Sequence, residues 1–522
     1  MTRLLPAVFV TSTLLLNGGS AFADGSEKSP AQEVAVPVSD VQIEQALENL
    51  DSLAKETLER SGIPGMAVAI TWKGKTVFAK GYGVREMGDP APVDAETVFQ
   101  IASLSKSLAG TVVAGKVGEG SVHWEDPVTR YLPDFRLEDP AVTEMVTLGD
   151  LFSHRSGLPD HAGDVLEDLG YERSYILDRL RFLQLGKFRL DYAYTNFGLT
   201  AAAEAVAAAA GKDWATLSED VLYKPLGMSR TSSRFDDFIA RENQAVPHVR
   251  DNGSYEPLFQ RMPDAQSPAG GVSSSVNDLA KWMALVLNGG QVDGRSIIDA
   301  NALLQATTGQ VISGHSQSQD ARPSLYGFGF NVGVNPTGRV TIGHSGAFSL
   351  GAATNFLMVP SLDLGIVVLT NAEPLGVPES LSRSFLDVAE LGEPSRDWLS
   401  VYGNSFAPLM EPIGQTAGQT QPAAAKPARP LDDYAGEYAN EYFGVVSVKV
   451  TNDGLTLSAG PANITFNLAH WDQDGFVFDF RNESAPFGSR SLVQFGFDDN
   501  EQTSSIWVEA FDENGLGTLE KQ

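Results

Sequence analysis

Ser103-Leu104-Ser105-Lys106, approached by Thr97-Val98-Phe99-Gln100-Ile101-Ala102 and continued by Ser107-Leu108-Ala109, is the stretch on which the reading of this chain turns. The approach is short, apolar and β-branched, and the residues from Ser103 onward suit a helix. Ser103 then falls at a helix N-terminus, where free backbone N–H groups and the dipole favour developing negative charge. A serine and a lysine three residues apart on a helix share a face. The lysine can help remove the serine proton, provided that burial or a neighbouring cation lowers its own pKa. Alone, S-x-x-K arises by chance in a chain of 522 residues. Two later stretches give it a context.

The first is Leu190-Asp191-Tyr192-Ala193-Tyr194-Thr195-Asn196-Phe197-Gly198. If it is extended, Tyr194 and Asn196 point the same way and reach one site. A phenol beside a lysine ammonium can lose its proton near neutral pH, which makes Tyr194 a candidate general base toward Ser103 and general acid toward a leaving group. Asn196 offers a neutral donor and acceptor to orient Lys106 or a substrate amide. The second is His344-Ser345-Gly346-Ala347, at the end of the apolar strand Val340-Thr341-Ile342-Gly343. Gly346 admits a substrate close to the backbone, and the Ala347 N–H can complete an oxyanion hole with the Ser103 N–H. Taken singly, Tyr194 reads as a packing tyrosine and His344 as a hydrogen-bonded core histidine. The three elements in this order read as a catalytic set.

Composition bounds the rest. There is no cysteine, so thiol catalysis, cysteine–zinc sites and iron–sulfur clusters are excluded. The 37 basic and 66 acidic residues give a net charge of −29, which argues against nucleic acid or an anionic membrane surface as a partner. Residues 1–23 have the form of a signal peptide: Arg3 precedes a mostly apolar run, Leu4 to Leu16, and Ala21-Phe22-Ala23 is a small-x-small cleavage site. A periplasmic or secreted protein without an integral membrane segment is the expectation.

Residues 24–40 read as a flexible lead-in. Val41 to Arg60 carries a helical apolar stripe stopped by Ser61-Gly62-Ile63-Pro64-Gly65. Met66 to Thr71 and Thr76 to Tyr82 read as a β-hairpin, and Leu199 to Ala210 as a helix closed by Gly211. Strands return at Arg339 to His344, Ala353 to Val359 and Gly365 to Thr370. Strands at both ends with helices between them give an α+β domain, 41–403, in which an antiparallel sheet gathers both ends. Residues 404–430, with Gly414-Gln415-Thr416-Ala417-Gly418 and Ala423-Ala424-Ala425-Lys426-Pro427, look like a linker. In 431–522, five short strands (Val445 to Val450, Leu455 to Leu457, Phe476 to Phe480, Leu492 to Phe497, Ile506 to Ala510) form a small all-β barrel.

With those motifs in place the chain resembles the penicillin-binding-protein and class C β-lactamase-like serine hydrolases over roughly residues 41–400, in particular their D-aminopeptidase-like branch. Leu148-Gly149-Asp150-Leu151-Phe152-Ser153-His154-Arg155-Ser156-Gly157-Leu158-Pro159, Tyr223-Lys224-Pro225-Leu226-Gly227-Met228 and Pro268-Ala269-Gly270-Gly271-Val272 also match that family's habits. The resemblance implies that Ser103 is the acylated nucleophile, Lys106 and Tyr194 the proton-transfer pair, and Asn196 an orienting group. His344 and Gly346 fall where the family has its Lys/His-x-Gly strand motif. The β-lactam-destroying members carry lysine where this chain has His344, mostly neutral at pH 7. The C-terminal unit, opened by Tyr434-Ala435-Gly436-Glu437-Tyr438, resembles a lipocalin-like domain that narrows access to the site or supports a homo-oligomer.

The expected activity is hydrolysis of an amide in a short peptide through a Ser103 acyl-enzyme, including peptides with D-residues or linearised non-ribosomal ones. A carboxylesterase, a weak β-lactamase and a non-catalytic penicillin-binding protein are the alternatives. No metal and no organic cofactor is implied. An α/β-hydrolase built on Gly343-His344-Ser345-Gly346-Ala347 fails because strand-like sequence follows where a helix is needed. A metallohydrolase fails for want of an H-E-x-x-H pattern among the seven histidines.

Overall fold

The computed structural model describes residue 34 and residues 36–522 apart from residue 453. The expected signal peptide, and residues 24–33 and 35 of the lead-in, lie outside the described residues. Helix α1 (Asp40–Ser61) begins at a capping box between Ser39 and Gln42 and ends on Gly62 in the left-handed region, φ 66°. Strands β1 (Gly65–Trp72) and β2 (Lys75–Glu86) form the expected hairpin, with β3 (Asp89–Pro92) at its edge. After a long helical insertion come β4 (Val311–Gly314), β5 (Ser324–Tyr326), β6 (Asn331–Val334), β7 (Val340–Phe348), β8 (Ala352–Val359) and β9 (Leu364–Thr370). They build one sheet in the order β4-β5-β6-β7-β8-β9-β1-β2-β3. β9 closes against β1 antiparallel, Met66 opposite Thr370, so the sheet gathers both ends of the domain as the α+β reading required.

The central strands read as unbroken apolar runs because helices cover both faces. Met66, Val68 and Ile70 of β1 pack toward α1 and toward a helix that follows β9, together with Ile366 and Val368. Ala67 and Ala69 point to the other face, against the helical body with Val367 and Leu369. That body contains helix α2 (Leu104–Gly118) and helix α3 (Asn196–Ala210), the latter ending on Gly211 at φ 63°. Both helices are buried along most of their length.

The C-terminal unit is a closed eight-stranded antiparallel barrel from Gly436 to Lys521. Three strands escape a reading of apolar runs: Gly436–Asn440, Ile464–Asp472 and Thr518–Lys521. In a small barrel only alternate residues face inward, and these strands contribute mainly Tyr438, Leu468 and Leu519 to the interior. Ile506 to Ala510 ends early as a strand, at Val508, and turns into a short 3-10 segment, Glu509–Phe511.

The segment expected to be a linker is not a free spacer. Its start is helical, within Trp398–Phe406 and Ala407–Met410. The remainder is laid along the barrel: the Arg490 amide donates to the Ile413 carbonyl at 3.0 Å, the Gln415 amide to Glu509 at 2.8 Å and the Gln473 amide to the Lys426 carbonyl at 2.9 Å. Its Pro/Ala/Gln composition reflects the absence of a core of its own, which says nothing about backbone hydrogen bonds to a neighbour. The barrel in turn packs on the catalytic domain. The stacked rings of Tyr171 and Tyr175 approach Gly444, and the Tyr171 hydroxyl donates to the Phe443 carbonyl.

Candidate active site

Ser103 occupies the N-cap position of α2, and its side chain makes no capping bond, which leaves the hydroxyl free for other partners. The residue before it, Ala102, is fully buried at φ 46°, a conformation that costs an alanine energy and persists only where its surroundings enforce it. One turn into the helix, Lys106 is completely buried. Its Nζ lies 3.0 Å from Ser103 Oγ, 2.7 Å from Asn196 Oδ1 and 2.9 Å from the Ala269 carbonyl oxygen. The Tyr194 hydroxyl donates to Ser103 Oγ at 2.8 Å, and Lys106 Nζ sits 4.5 Å from the Tyr194 ring centroid. Ser103, Lys106 and Tyr194 are therefore in mutual contact, and Asn196 joins them through Lys106.

The route to that contact differs from the one expected. Tyr194 and Asn196 do not lie on one extended strand, because Asn196 is the first residue of α3 and Tyr194 precedes the extended N-cap Thr195. Asn196 is then fixed from its far side, its Nδ2 donating to Asp164 Oδ2 at 2.8 Å. Asp164 also accepts from His161 at 2.9 Å, and that bond pushes the His161 imidazole up to about 9. Neither contact is marked in the sequence: Asp164 opens a short acidic helix, Asp164–Asp168, and Ala269, though within a family-like stretch, acts through its backbone carbonyl.

Burial acts on both ionisable partners of Ser103. Burial holds the Tyr194 phenol well above its ordinary value, while burial brings Lys106 down to about 7 against the pull of Asp164 and Glu167. The two shifts run in opposite directions, which favours the neutral amine and the protonated phenol. Burial penalises the charged form of each group, which lowers the amine and raises the phenol.

β6 pairs with β7 only as far as Gly343, and beyond that point β7 passes the head of α2. A Cβ built on Gly346 would collide with the Ile101 carbonyl and with Thr354 Oγ1, and would stand 3.0 Å from the Ser103 amide nitrogen. Glycine is required there by close approach of the strand to the nucleophile. Ala347 lines the cavity beside Ser103. His344 does not. Its ring is buried, with Nε2 2.8 Å from the Tyr326 hydroxyl and Nδ1 2.6 Å from the Ser345 carbonyl, and burial, aided by the Lys106 charge, takes it down to about 3. The ring lies 6.4 Å, centroid to centroid, from that of Tyr194, and burial favours its neutral form.

The cavity in front of Ser103 measures about 610 Å³ and is shared by the two domains. Ser103, Tyr194, Asn196 and Ala347 form the catalytic end, and the barrel supplies Phe478, Glu483, Phe511 and Glu513. Barrel loops are therefore part of its wall. Sequence could not show this, since loop residues far along the chain are brought to the pocket by domain docking alone. Among the described residues no group of three or more His, Cys, Asp or Glu side chains is arranged to hold a metal ion, and no helix is long and apolar enough to cross a membrane.

An antiparallel sheet with a serine at the head of its central helix, in contact with a buried lysine and a tyrosine, defines a serine hydrolase of the penicillin-recognising type. The chain belongs to the β-lactamase family, whose profile matches residues 50–388. Residues 420–517 match a domain of unknown function, DUF3471. An unguisins hydrolase, ungD, of Aspergillus violaceofuscus is 26% identical over 427 residues, 75% of each chain. The D-alanyl-D-alanine-carboxypeptidase/endopeptidase AmpH of Escherichia coli K12 is 24% identical over 350 residues, 66% of this chain and 89% of that protein. Among solved structures, the octameric penicillin-binding protein homologue from Pyrococcus abyssi superposes with a TM-score of 0.57 at 20% identity, covering 91% of this chain and 100% of that one. The family resemblance read from the motifs holds, and with it the assignment as a serine hydrolase.

Proposed function

We propose that this hydrolase turns over through an acyl-enzyme on Ser103 and that its substrates are short peptides cleaved at an amide bond. The observation that carries the reading is the triple contact at Ser103, with Lys106 Nζ at 3.0 Å and the Tyr194 hydroxyl at 2.8 Å, at the end of a peptide-sized cavity. Asn196 Oδ1 and the Ala269 carbonyl can only accept. A neutral Lys106 therefore donates to those two and turns its lone pair to the Ser103 hydroxyl.

Ser103 Oγ attacks the carbonyl carbon as its proton passes to Lys106. The carbonyl oxygen becomes an oxyanion between the Ser103 and Ala347 amides. On collapse the C–N bond breaks, the leaving nitrogen takes the Tyr194 proton, and Lys106 returns one to the phenol. Water then attacks the ester by the reverse path, releasing the acid and Ser103.

The wall chemistry supports amides over β-lactams. The β-lactam carboxylate would meet Asp164, Asp168 and Glu513 with His344 neutral and withdrawn, while the cations of the wall are already engaged, His161 by Asp164 at 2.9 Å and Arg261 by Glu167 at 2.6 Å. The name of one relative, a D-alanyl-D-alanine-carboxypeptidase/endopeptidase, supports a peptide-like substrate, and that of another, an unguisins hydrolase, supports hydrolysis. The form of residues 1–23 supports export to the periplasm or medium as part of the same proposal. A fluorophosphonate probe tests the core of it: mass should be added to the peptide containing Ser103 and to none in Ser103→Ala. Labelling at Ser345 instead would overturn the reading.

A further inference from the structure

Glu483 sits in the barrel loop between Gly475–Asp479 and Arg490–Phe497, yet its hydrogen bonds are made to the catalytic domain. Its carboxylate accepts from the Ser349 amide at 2.8 Å and from the Leu350 amide at 3.4 Å. Those amides form the turn that leaves β7, closed by the Gly351 amide donating to the Phe348 carbonyl at 2.9 Å. Arg261, itself buried, ties the same corner together. It lies 4.0 Å from Glu483, 3.6 Å from Asp168 and 2.6 Å from Glu167, with its guanidinium 5.4 Å from the Phe348 ring centroid. Phe348 packs in a small buried cluster with Ala102 and Ala352. The chain of contacts therefore runs from a barrel carboxylate, through one turn and one aromatic ring, to the strained residue that precedes the nucleophile.

We propose that Glu483 is a positioning residue for acyl transfer: by holding the Ser349–Gly351 turn it keeps Phe348 braced on Ala102 and the Ala347 amide aimed at the oxyanion site. The barrel is thereby a working part of the catalytic centre. Two amides that end a strand inside a domain interface need an acceptor, and the only side chain that the hydrogen bonds among the described residues give them is Glu483. Loss of that acceptor frees the turn, and a displacement on the order of 1 Å at the oxyanion donor is enough to slow acyl transfer about 10²-fold. Binding contacts elsewhere in the cavity are untouched, so the effect falls on kcat. The role rests on the Ser103 acyl-enzyme reading.

The experiment uses full-length protein and two readouts, turnover of a small activated ester and amide hydrogen exchange at residues 344–353. Glu483→Ala should lower kcat on the order of 10- to 100-fold with KM within about twofold, and should speed exchange at Ser349 and Leu350. Glu483→Gln keeps an acceptor for the Ser349 amide and should recover most of the loss. Should Glu483→Ala not fold, Glu483→Asp keeps a carboxyl group beside Arg261 but withdraws it by one methylene, and should move both readouts in the same direction. Tyr171→Phe loosens the same domain interface away from the turn. An equal fall in kcat in that variant would overturn the proposal, since general undocking would then explain the effect. Wild-type kcat in a folded Glu483→Ala or Glu483→Asp would overturn it as well. If the wild type fails to label at Ser103 while the exchange difference is present, it is the acyl-enzyme reading that falls.

Discussion

Lys106 Nζ stands 3.0 Å from Ser103 Oγ with its two other partners, Asn196 Oδ1 and the Ala269 carbonyl, unable to donate in return. The amine is thus aimed before any substrate arrives. Burial lowers its pKa to about 7. As the cation it spends a proton on Ser103, and as the neutral amine it accepts one. The acylation rate, read as kcat/KM or as the rate of probe labelling, should therefore rise with pH through about 7 and level off above it, because the neutral form grows in that direction. Tyr194→Phe should keep this limb, since the phenol stays protonated throughout it, and Lys106→Ala should abolish it. A limb that survives in Lys106→Ala would assign the base to another group.

Lys106→Ala and Tyr194→Phe should each slow acyl transfer on the order of 10²–10⁴-fold with the fold intact, as each removes one member of a proton relay. Ser103 Oγ is the shared partner of both. The double variant should therefore lose far less than the product of the two single losses. Single-turnover kinetics with an activated ester measure all three. Strict multiplicativity would mean that the lysine and the phenol act in separate steps.

How much of this site was legible in the sequence follows from what kind of contact each part makes. Ser103 and Lys106 announce themselves because one helical turn brings them together whatever the rest of the chain does. Tyr194 and Asn196 were found as a pair, but for a strand geometry that does not exist: a helix start at Asn196 delivers the same two side chains. Asp164 and Glu483 act purely through tertiary proximity and left no pattern to read, and the Ala269 carbonyl is a backbone contact that its family-like stretch does not reveal. Five of the nine strands of the large sheet, β1, β2, β7, β8 and β9, were visible as apolar or strand-like runs, whereas the short outer strands β3 to β6 have no such run and were not read. The barrel was read with five strands of eight because strands such as Gly436–Asn440 bury a single large side chain, Tyr438.

His344 predicts substrate range. Its imidazole is neutral, buried against Tyr326 and absent from the cavity wall. No fixed cation replaces it at that position, and the nearby walls carry carboxylates, so a β-lactam carboxylate is poorly received. Cephalosporin hydrolysis should be slow relative to that of an amide or ester substrate in the same assay. A kcat/KM for a cephalosporin near about 10⁷–10⁸ M⁻¹s⁻¹ would falsify this account of the strand.

The barrel predicts the outcome of truncation. Ser103, Lys106, Tyr194, Asn196 and the Ala269 carbonyl all precede Tyr402, so a chain ended there keeps every group that handles protons. It loses Phe478 and Phe511 from the cavity wall and the Glu483 acceptor from the Ser349–Gly351 turn. It also bares apolar surface where Tyr171 and Tyr175 meet the barrel, which lowers stability and promotes association of the truncated chain. The truncated protein should still label at Ser103 with a small activated ester, but on the order of 10-fold or more slowly than the full chain. Its preference among peptides should shift toward larger ones, because the wall that limits the cavity is gone. Labelling rates, a peptide-length series and light scattering on the same two samples separate these effects. Equal labelling rates and an unchanged length preference in a folded, monodisperse truncation would show that the barrel wall plays no part in catalysis or selection.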